Sequence, residues 1–337
     1  MPVKILSIGA FSNGNLGDMY QADAIARLVH ATNLNVTVTS ASPSKRGSVY
    51  PAHNHEVAPA GALFDSHFVN SFDAVIVGGG GLLAADHRPL HNSDWVQEIN
   101  IPMIALALGA AGEAATNAAD FVQKCQFFSV RDEYSRDAIG DLRDDVEIVM
   151  DPILLDAVNT YPSPDRQFSK DTPKGIAWVP GRLLPKTQLQ WAKVMATEYE
   201  KEDCVFSFNP ATDKASGFLE TFKNTEYLDE VDTYLRSIRE CNFVVSERYH
   251  AAIYSLVMGI PVIGIGLRSR IVYSKISELL RRVGHPELMI VDPADMTRIK
   301  MRRLAEGVDM DLVRASLLDE RQRMVEFLKK SISGVLM

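Results

Sequence analysis

The residues best suited to chemistry form a short run, Ser246-Glu-Arg-Tyr-His250, between an apolar stretch and a helical pattern. Arg248 offers a planar fork of donors that suits a carboxylate or a phosphate. His250, near the start of the helix, favours an anion beside it. A lone histidine is more often structural, but its position where a strand turns into a helix favours function. We therefore expect Ser246, Arg248 and His250 to belong to a functional site that takes an anion.

Three further arginines follow other apolar runs of the second half. Arg182 comes after residues 176–179 and a Pro-Gly pair. Arg268 and Arg270 come after residues 262–265. Each of them alone reads as a solvated surface charge. Because all three follow predicted strands of one sheet, they could converge on one anion, and we predict that they bind it.

Glycine-rich loops mark the first half. Four consecutive glycines, Gly78–Gly81, end a predicted strand, and their folding entropy indicates that the backbone needs room, for a ligand or for a neighbouring segment. We favour a ligand. The loop Asn13–Asp18 follows the first strand, and there a structural turn and a ligand loop are equally supported. A floor poor in side chains suits a polar sugar, and the candidates on this acceptor side are Asn15, Asp18, Gly79, Gly80 and Gly81.

Short apolar runs without alternation, such as 74–77 and 104–108, recur between amphipathic helical stretches. Runs of this kind are typical of parallel strands buried on both faces. A stretch rich in Pro, Ser and Asp, 159–173, reads as a linker. We predict an α/β protein with two doubly wound, Rossmann-like domains facing a cleft: 1–158 on the acceptor side and 174–337 on the donor side. Whether the last helix packs back on the first domain is left open.

Charge is unevenly distributed over the 337 residues, whose formal net charge is −8. Residues 1–156 hold 9 basic and 19 acidic side chains, and residues 157–337 hold 26 and 24. A net acidic chain has no global field for nucleic acid, which excludes that partner. An anionic small molecule would favour the second half, although the asymmetry is equally explained by surface solubility.

Three widely separated cysteines, Cys125, Cys204 and Cys241, cannot form a disulfide framework or a four-thiolate zinc site. The sequence calls for no metal and no cofactor. No apolar run approaches the roughly 18 residues of a membrane span, although a peripheral membrane contact through the basic run 298–303 stays open. The first residues lack the pattern of a secretory signal, so we expect a cytoplasmic protein. The oligomeric state is not predicted.

An ordered set of motifs resembles the polysaccharide pyruvyl transferase family. The motifs span nearly the whole chain, and those built around SERYHA and VRD-x2-S are more specific than the glycine runs. They are GNLGD (14–18), GGGGLL (78–83), IALALGAAG (104–112), SVRDEYS (129–135), DPILL (151–155) and SERYHAAIYSLVMGIPVIGI (246–265).

This resemblance implies a GT-B-like fold and transfer of the pyruvyl group of phosphoenolpyruvate onto a sugar of an exopolysaccharide or cell-wall glycan precursor, as a ketal, with release of phosphate. Phosphoenolpyruvate is then a donor substrate and not a cofactor. The acceptor is a glycan or a lipid-linked or nucleotide-linked sugar. His250 corresponds to the family's histidine in its R-x-H motif, and it would contact the donor phosphate or act as general acid. Arg248 would clamp or position that group.

The resemblance also assigns Asp18 and Asp151 to acceptor-side or structural positions, while Arg131 and Asp132 are expected to hold a strand end. One departure is that family members often follow the last strand with a tyrosine and a nearby lysine, where this chain reads Gly266-Leu-Arg-Ser-Arg270. Two other functions remain open: a GT-B-like sugar-nucleotide enzyme, either a glycosyltransferase or an epimerase, and a non-catalytic glycan-binding protein.

Overall fold

The computed structural model describes residues 1–11, 15–43, 54–84, 89–160, 175–181, 185–209, 213, 217–228, 230–266 and 270–336. The chain divides into two compact units. The first comprises Met1–Asp156 and Asp319–Met337, and the second comprises Ala157–Leu318. Of the predicted linker, 161–173 lies outside the described residues, and 159–160 end a helix.

The first unit is built on a parallel sheet with the strand order β3-β2-β1-β4-β5-β6-β7. Its strands are β1 (Val3–Ile8), β2 (Val36–Ala41), β3 (Glu56–Val57), β4 (Ala74–Gly78), β5 (Met103–Leu108), β6 (Phe127–Val130) and β7 (Glu147–Ile148). The helices that begin in this unit are α1 (Leu16–His30), α2 (Ser66–Val69), α3 (Ser93–Glu98), α4 (Gly112–Asn117), α5 (Ala119–Lys124), α6 (Glu133–Ile139) and α7 (Pro152–Thr160).

The second unit has a parallel sheet of its own, with the order β10-β9-β8-β11-β12-β13. Its strands are β8 (Ile176–Val179), β9 (Cys204–Ser207), β10 (Thr225–Tyr227), β11 (Phe243–Ser246), β12 (Val262–Ile265) and β13 (Met289–Ile290). The helices are α8 (Pro185–Glu198), α9 (Val231–Ile238), α10 (Tyr249–Val257), α11 (Arg270–Arg282), α12 (Arg298–Glu306) and α13 (Met310–Leu336), the last of which continues into the first unit.

Central strands of both sheets are apolar and wholly buried, as the unbroken apolar runs predicted. Every residue of β4 and β5 in the first unit is buried, and so is every residue of β8, β11 and β12 in the second. This confirms the α/β prediction of two parallel sheets with flanking helices. Among the described residues, no helix combines the length and the apolar composition that a membrane span requires.

Each sheet reverses its strand order at one place. In the first sheet this place is between β1 and β4, where Ile8 pairs with Val77. In the second it is between β8 and β11, where Val179 pairs with Ser246. At such a switch point the connections leave neighbouring strands in opposite directions, so a crevice opens at the carboxyl ends of the strands. The predicted site residues follow these four strands or strand β12.

A buried carboxylate, Asp203, ties several elements of the second unit together. It accepts hydrogen bonds from Ile176 N at 2.7 Å and Trp178 Nε1 at 2.9 Å. Both terminal nitrogens of Arg298, at the start of α12, also donate to it, at 2.8 and 2.9 Å. Asp203 is completely buried. Its charge is therefore compensated by Arg298 and its oxygens are filled by main-chain and indole donors.

We predict that Asp203→Asn lowers the free energy of unfolding by about 3 kcal/mol or more, because it leaves the Arg298 guanidinium without its buried partner. The matched control is Asp295→Asn, which removes the partner of Lys300 from a pair whose two side chains are about half exposed. That variant should lose less than about 1 kcal/mol. Urea denaturation followed by circular dichroism measures both, and equal midpoints for the two variants would contradict the prediction.

A pH effect is expected from Asp156 in the first unit. Burial raises the pKa of its carboxyl to about 6 from the ordinary 3.8, although Arg27 at 2.8 Å opposes the shift. The folded state therefore binds a proton that the unfolded state has released between about pH 4 and pH 6. The stability that this proton contributes is fully present below pH 3.8 and is lost as the pH rises through 6.

We predict that Asp156→Asn removes this dependence. Relative to the wild type, the variant should gain about 3 kcal/mol of unfolding free energy between pH 3.8 and pH 7, since each pKa unit corresponds to about 1.4 kcal/mol. Urea denaturation at a series of pH values measures the difference. Parallel stability curves for the two proteins would show that Asp156 does not titrate as the structure indicates.

Candidate functional site

The turn that follows β11 in the second unit is organised by Ser246. Its hydroxyl accepts a hydrogen bond from Arg248 N at 3.0 Å and donates one to Arg248 O at 2.9 Å. These local bonds turn the chain from the strand into α10 within two residues. Arg248 is the N-cap residue of α10 and His250 lies in its first turn. The structure thus brings Ser246, Arg248 and His250 together at the switch point of the second sheet.

Arg248 is bonded to its own unit. Its Nε donates to Pro180 O at 3.0 Å, and its Nη2 donates to both carboxylate oxygens of Asp213, at 2.9 and 3.0 Å. Asp213 is buried and also accepts a hydrogen bond from Ser207 Oγ at 2.7 Å. The guanidinium therefore links the connections that follow β8, β9 and β11. This contact with Asp213 was not expected from the sequence, in which the two residues are 35 positions apart.

Glu247 is a site residue that the sequence analysis missed. Its side chain is buried, and Oε2 accepts from Gly181 N at 3.2 Å and from Trp191 Nε1 at 3.0 Å. A Cβ on Gly181 would lie 2.4 Å from that oxygen, so the position requires glycine. The available signal was an acidic residue directly after a buried strand, beside an arginine. Glu247 and Arg248 together hold the chain at Pro180 and Gly181, immediately before Arg182.

His250 is buried, with 7% of its surface exposed. Its ring centroid lies 5.6 Å from that of Tyr249. Within the described part of the chain, no side chain caps the N-terminus of α10. Main-chain N–H groups of the first helical turn and the helix dipole both favour an anion at this end. The first turn of α10 can therefore hold a phosphate or a carboxylate beside His250.

The other predicted donor residues are Arg182, Arg268 and Arg270. Arg182 and Arg268 lie outside the described residues, and so does the side chain of Arg270, which begins α11. Residues next to them are described. Gly181 is held by Glu247, and Gly266 N donates to Ile290 O at 3.1 Å beside the end of β12. Strands β8 and β12 are the two hydrogen-bonded neighbours of β11.

Asn15 and Asp18 lie at the switch point of the first sheet, at the start of α1. Asn15 is the N-cap, since its Oδ1 accepts from Gly17 N at 3.3 Å, and its Nδ2 donates to Asp18 Oδ2 at 3.1 Å. Asp18 is half-buried. Its Oδ1 lies 3.7 Å from the position that a Cβ of Gly80 would take. The loops after β1 and β4 therefore meet here, with a carboxylate between them.

Side chains of this unit occupy the room beside two of the glycines. Gly79 and Gly80 have positive φ angles of 72° and 74°, which favour glycine. A Cβ on Gly79 would also lie 2.4 Å from Gln21 Oε1, and one on Gly109 would lie 2.2 Å from an Arg131 nitrogen. At Gly81 the nearest Arg131 nitrogen would be 3.7 Å away, an ordinary contact. Packing thus explains Gly109, and also Gly79, where the sequence favoured an approaching ligand.

Buried polar and charged side chains pack beside these glycine loops. Arg131 Nη1 lies 3.7 Å from Asp151 Oδ2, and its Nε lies 3.6 Å from Asp132 Oδ2. Gln21 Nε2 donates to Asp151 at 3.3 Å, and Asp132 caps α6 by accepting from Ser135 N at 2.7 Å. All four polar side chains are buried. Gln21 was missed by the sequence analysis, because a glutamine within a helical pattern carries no signal of its own.

No group of three or more His, Cys, Asp and Glu in the described ranges is arranged to hold a metal ion.

Comparisons with known proteins agree on family and architecture. A family model described as polysaccharide pyruvyl transferase matches residues 15–269. A lipopolysaccharide outer core galactosyltransferase in its apo form is similar in fold, with a TM-score of 0.54, 12% identity and 99% of each chain covered. The UDP-GlcNAc 2-epimerase of Neisseria meningitidis, solved with UDP-GlcNAc, gives a TM-score of 0.56 and 12% identity over 97% of this chain and 100% of that one. No curated protein sequence matches significantly. These likenesses show the predicted GT-B-like fold.

We predict that Gly181→Ala destabilises the second unit by about 2 kcal/mol or more, since the new methyl group would displace Glu247 Oε2 from two buried hydrogen bonds. Gly307→Ala is the matched control. Gly307 has a φ of −83°, and the nearest atom to its added Cβ would be 3.5 Å away. That variant should stay within about 0.5 kcal/mol of the wild type. Urea denaturation tests both, and a Gly181→Ala midpoint as high as that of Gly307→Ala would refute the assignment of Glu247.

Proposed function

Because the chain belongs to the polysaccharide pyruvyl transferase family and is therefore a transferase, we propose that it moves the pyruvyl group of phosphoenolpyruvate onto a sugar of a glycan precursor. The acceptor is a glycan, or a sugar carried on a lipid or a nucleotide. Two hydroxyl groups of that sugar form a ketal with the pyruvyl carbon, and inorganic phosphate leaves.

Atoms and protons balance in this reaction. The two acceptor oxygens form bonds to C2 of phosphoenolpyruvate, and the bond between C2 and the phosphate oxygen breaks. Of the two hydroxyl protons, one is balanced by the proton added to C3, which becomes a methyl group. The other is balanced by a proton on the released phosphate. A general acid at the phosphate and stabilisation of charge at C2 are therefore the tasks of the protein.

The observation that carries the proposal is His250 in the uncapped first turn of α10, at the switch point of the second sheet. An anionic donor suits this position because main-chain donors and the helix dipole act together there. Connections bearing Arg182, Arg268 and Arg270 follow β8 and β12, the neighbours of β11. Their guanidinium groups are proposed to hold the carboxylate and phosphate of the donor.

Individual roles follow from the contacts. We assign the donor phosphate and the role of general acid to His250, which lies in the first turn of α10. Arg248, bonded to Asp213 and Pro180, positions the turn and the preceding strand end. Ser246 fixes the first residues of α10 through its bonds to Arg248. On the acceptor side, Asn15 and Asp18 are proposed to bind sugar hydroxyls, and Gly79, Gly80 and Gly81 to form the loop beside them.

We predict that His250→Ala lowers the rate of phosphate release from phosphoenolpyruvate by about 100-fold or more, since a general acid contributes at least that factor. The assay measures inorganic phosphate with and without a glycan acceptor, and release should require the acceptor. His285→Ala is the matched control. His285 is also buried in the second unit, where its Nδ1 lies 2.8 Å from Glu287 Oε1. That variant should keep the wild-type rate within about twofold.

Ligand binding separates this function from that of a sugar-nucleotide enzyme. Phosphoenolpyruvate at 100 times its Kd should stabilise the wild type by about 2.7 kcal/mol, seen as a raised melting temperature. UDP at the same concentration should leave the melting temperature unchanged. A shift with UDP alone, or full turnover in His250→Ala, would reject the proposed donor and its acid.

A further inference from the structure

A surface cavity of about 520 Å³ lies in the first unit, outside the switch point. Its walls come from the connections that follow three strands of the sheet: Pro43 after β2, Phe64 after β3, and the segment from Pro89 to Glu98 after β4. Small-molecule sites usually have volumes of about 300–1,000 Å³. The cavity is therefore large enough for a ligand, and it is built at the carboxyl-end connections of the sheet that carries Asn15 and Asp18.

Apolar rings form part of the cavity lining and are held in place. Trp95 is 5% exposed, and its Nε1 donates to Leu63 O at 3.0 Å. Phe64 follows directly and is 39% exposed, which is unusual for so large an apolar side chain. Pro43 and Pro89 add two rigid rings. An exposed aromatic ring beside prolines offers a flat surface for the C–H face of a ligand.

Polar groups form the rest of the lining. Asn92 caps α3 by accepting from Trp95 N at 3.3 Å, and Asp94 and Glu98 lie four residues apart on that helix, so they share a face. Like charges at this spacing cost a helix about 0.2–0.5 kcal/mol. Neither carboxylate has an ion pair with another residue in the part of the chain that the structure describes. Both groups therefore present hydrogen-bond acceptors toward the cavity at a small cost in stability.

We infer that this cavity binds a neutral hexose residue of the acceptor glycan. A hexose presents C–H groups on one face and hydroxyl donors around its edge, which match the Phe64 ring and the carboxylates of Asp94 and Glu98 in the lining. An anionic sugar would be repelled by these two carboxylates, in a half of the chain that holds 19 acidic and 9 basic residues. The identification of the ligand as part of the acceptor rests on the proposed function. The binding of a neutral sugar does not.

The test is a titration of the wild type with neutral disaccharides, lactose, cellobiose and maltose, followed by tryptophan fluorescence. Trp178 and Trp191 are completely buried in the second unit, so a change reports on Trp95. We expect saturable binding of a neutral disaccharide, and none of galacturonic acid. Phe64→Ala, Asp94→Asn and Glu98→Gln should each weaken binding by about tenfold, as expected for loss of one contact to a charged or aromatic group.

Glu113→Gln is the matched control, because Glu113 is an exposed carboxylate on α4 in the same unit. It should bind the disaccharide as the wild type does. Equal affinity in Phe64→Ala and the wild type would overturn the inference, as would binding of glucosamine or galacturonic acid in the absence of binding by any neutral sugar.

Turnover separates this inference from the proposed function. With a glycan acceptor, Phe64→Ala should raise the KM for the acceptor by about tenfold and leave kcat within about twofold, since the cavity binds a sugar that does not react. His250→Ala should lose turnover and keep disaccharide binding. If the wild type and the variants bind the disaccharide but none of them releases phosphate, the proposed function alone is refuted. If Phe64→Ala turns over with an unchanged KM for the acceptor, the subsite alone is refuted.

Discussion

The buried Glu247 and the partly buried Arg248 hold the turn after β11, and the candidate site of the second unit depends on them. Glu247 and Arg248 both reach to the connection after β8, at Gly181 and Pro180. Arg248 is paired with Asp213, and Oε2 of Glu247 accepts hydrogen bonds from a main-chain N–H and an indole N–H. Their geometry is consequently restricted, and His250, two residues after Arg248, starts from a backbone position that neighbouring strands define.

In the first unit, different residues hold the loops at the switch point in place. Its switch point is supported by Gln21, Arg131 and Asp151, which are buried beneath glycine loops. Glycine at 79 and 109 leaves space for these side chains, so the loops are defined from within the unit. Removing Cβ atoms here serves the packing of polar groups, and the part of the loop that remains open is at Gly80 and Gly81, near Asp18 and Arg131.

The sequence predicted what depends on local pattern. Central strands such as β8 and β12 were predicted with their observed bounds, because an unbroken apolar run has one explanation in a parallel sheet. The edge strands β3 and β10 were missed, since one is exposed and the other half-buried, and neither has an apolar run. Helix α12 was treated only as a basic run, although Arg298 within it turns inward to Asp203. The run Ser246–His250 was recognised, but its tertiary partner Asp213 carries no local signal, and neither does Gln21 beside the glycine loops of the first unit.

These contacts change how the site motif is understood. Arg248 was attractive as an anion-binding group because of its charge, yet its guanidinium is paired with Asp213 and donates to Pro180 O in the same unit. A donor anion at this sheet edge must then draw its attraction from other groups. In the proposed site these are the main-chain N–H groups of α10, His250 and the arginines of the adjoining connections. The attraction of each group for the anion is modest, and together the groups would give a small doubly charged substrate several directional contacts. The substitution of arginines for the family's usual tyrosine and lysine after β12 is compatible with this distribution, because a guanidinium supplies the same charge with more donors.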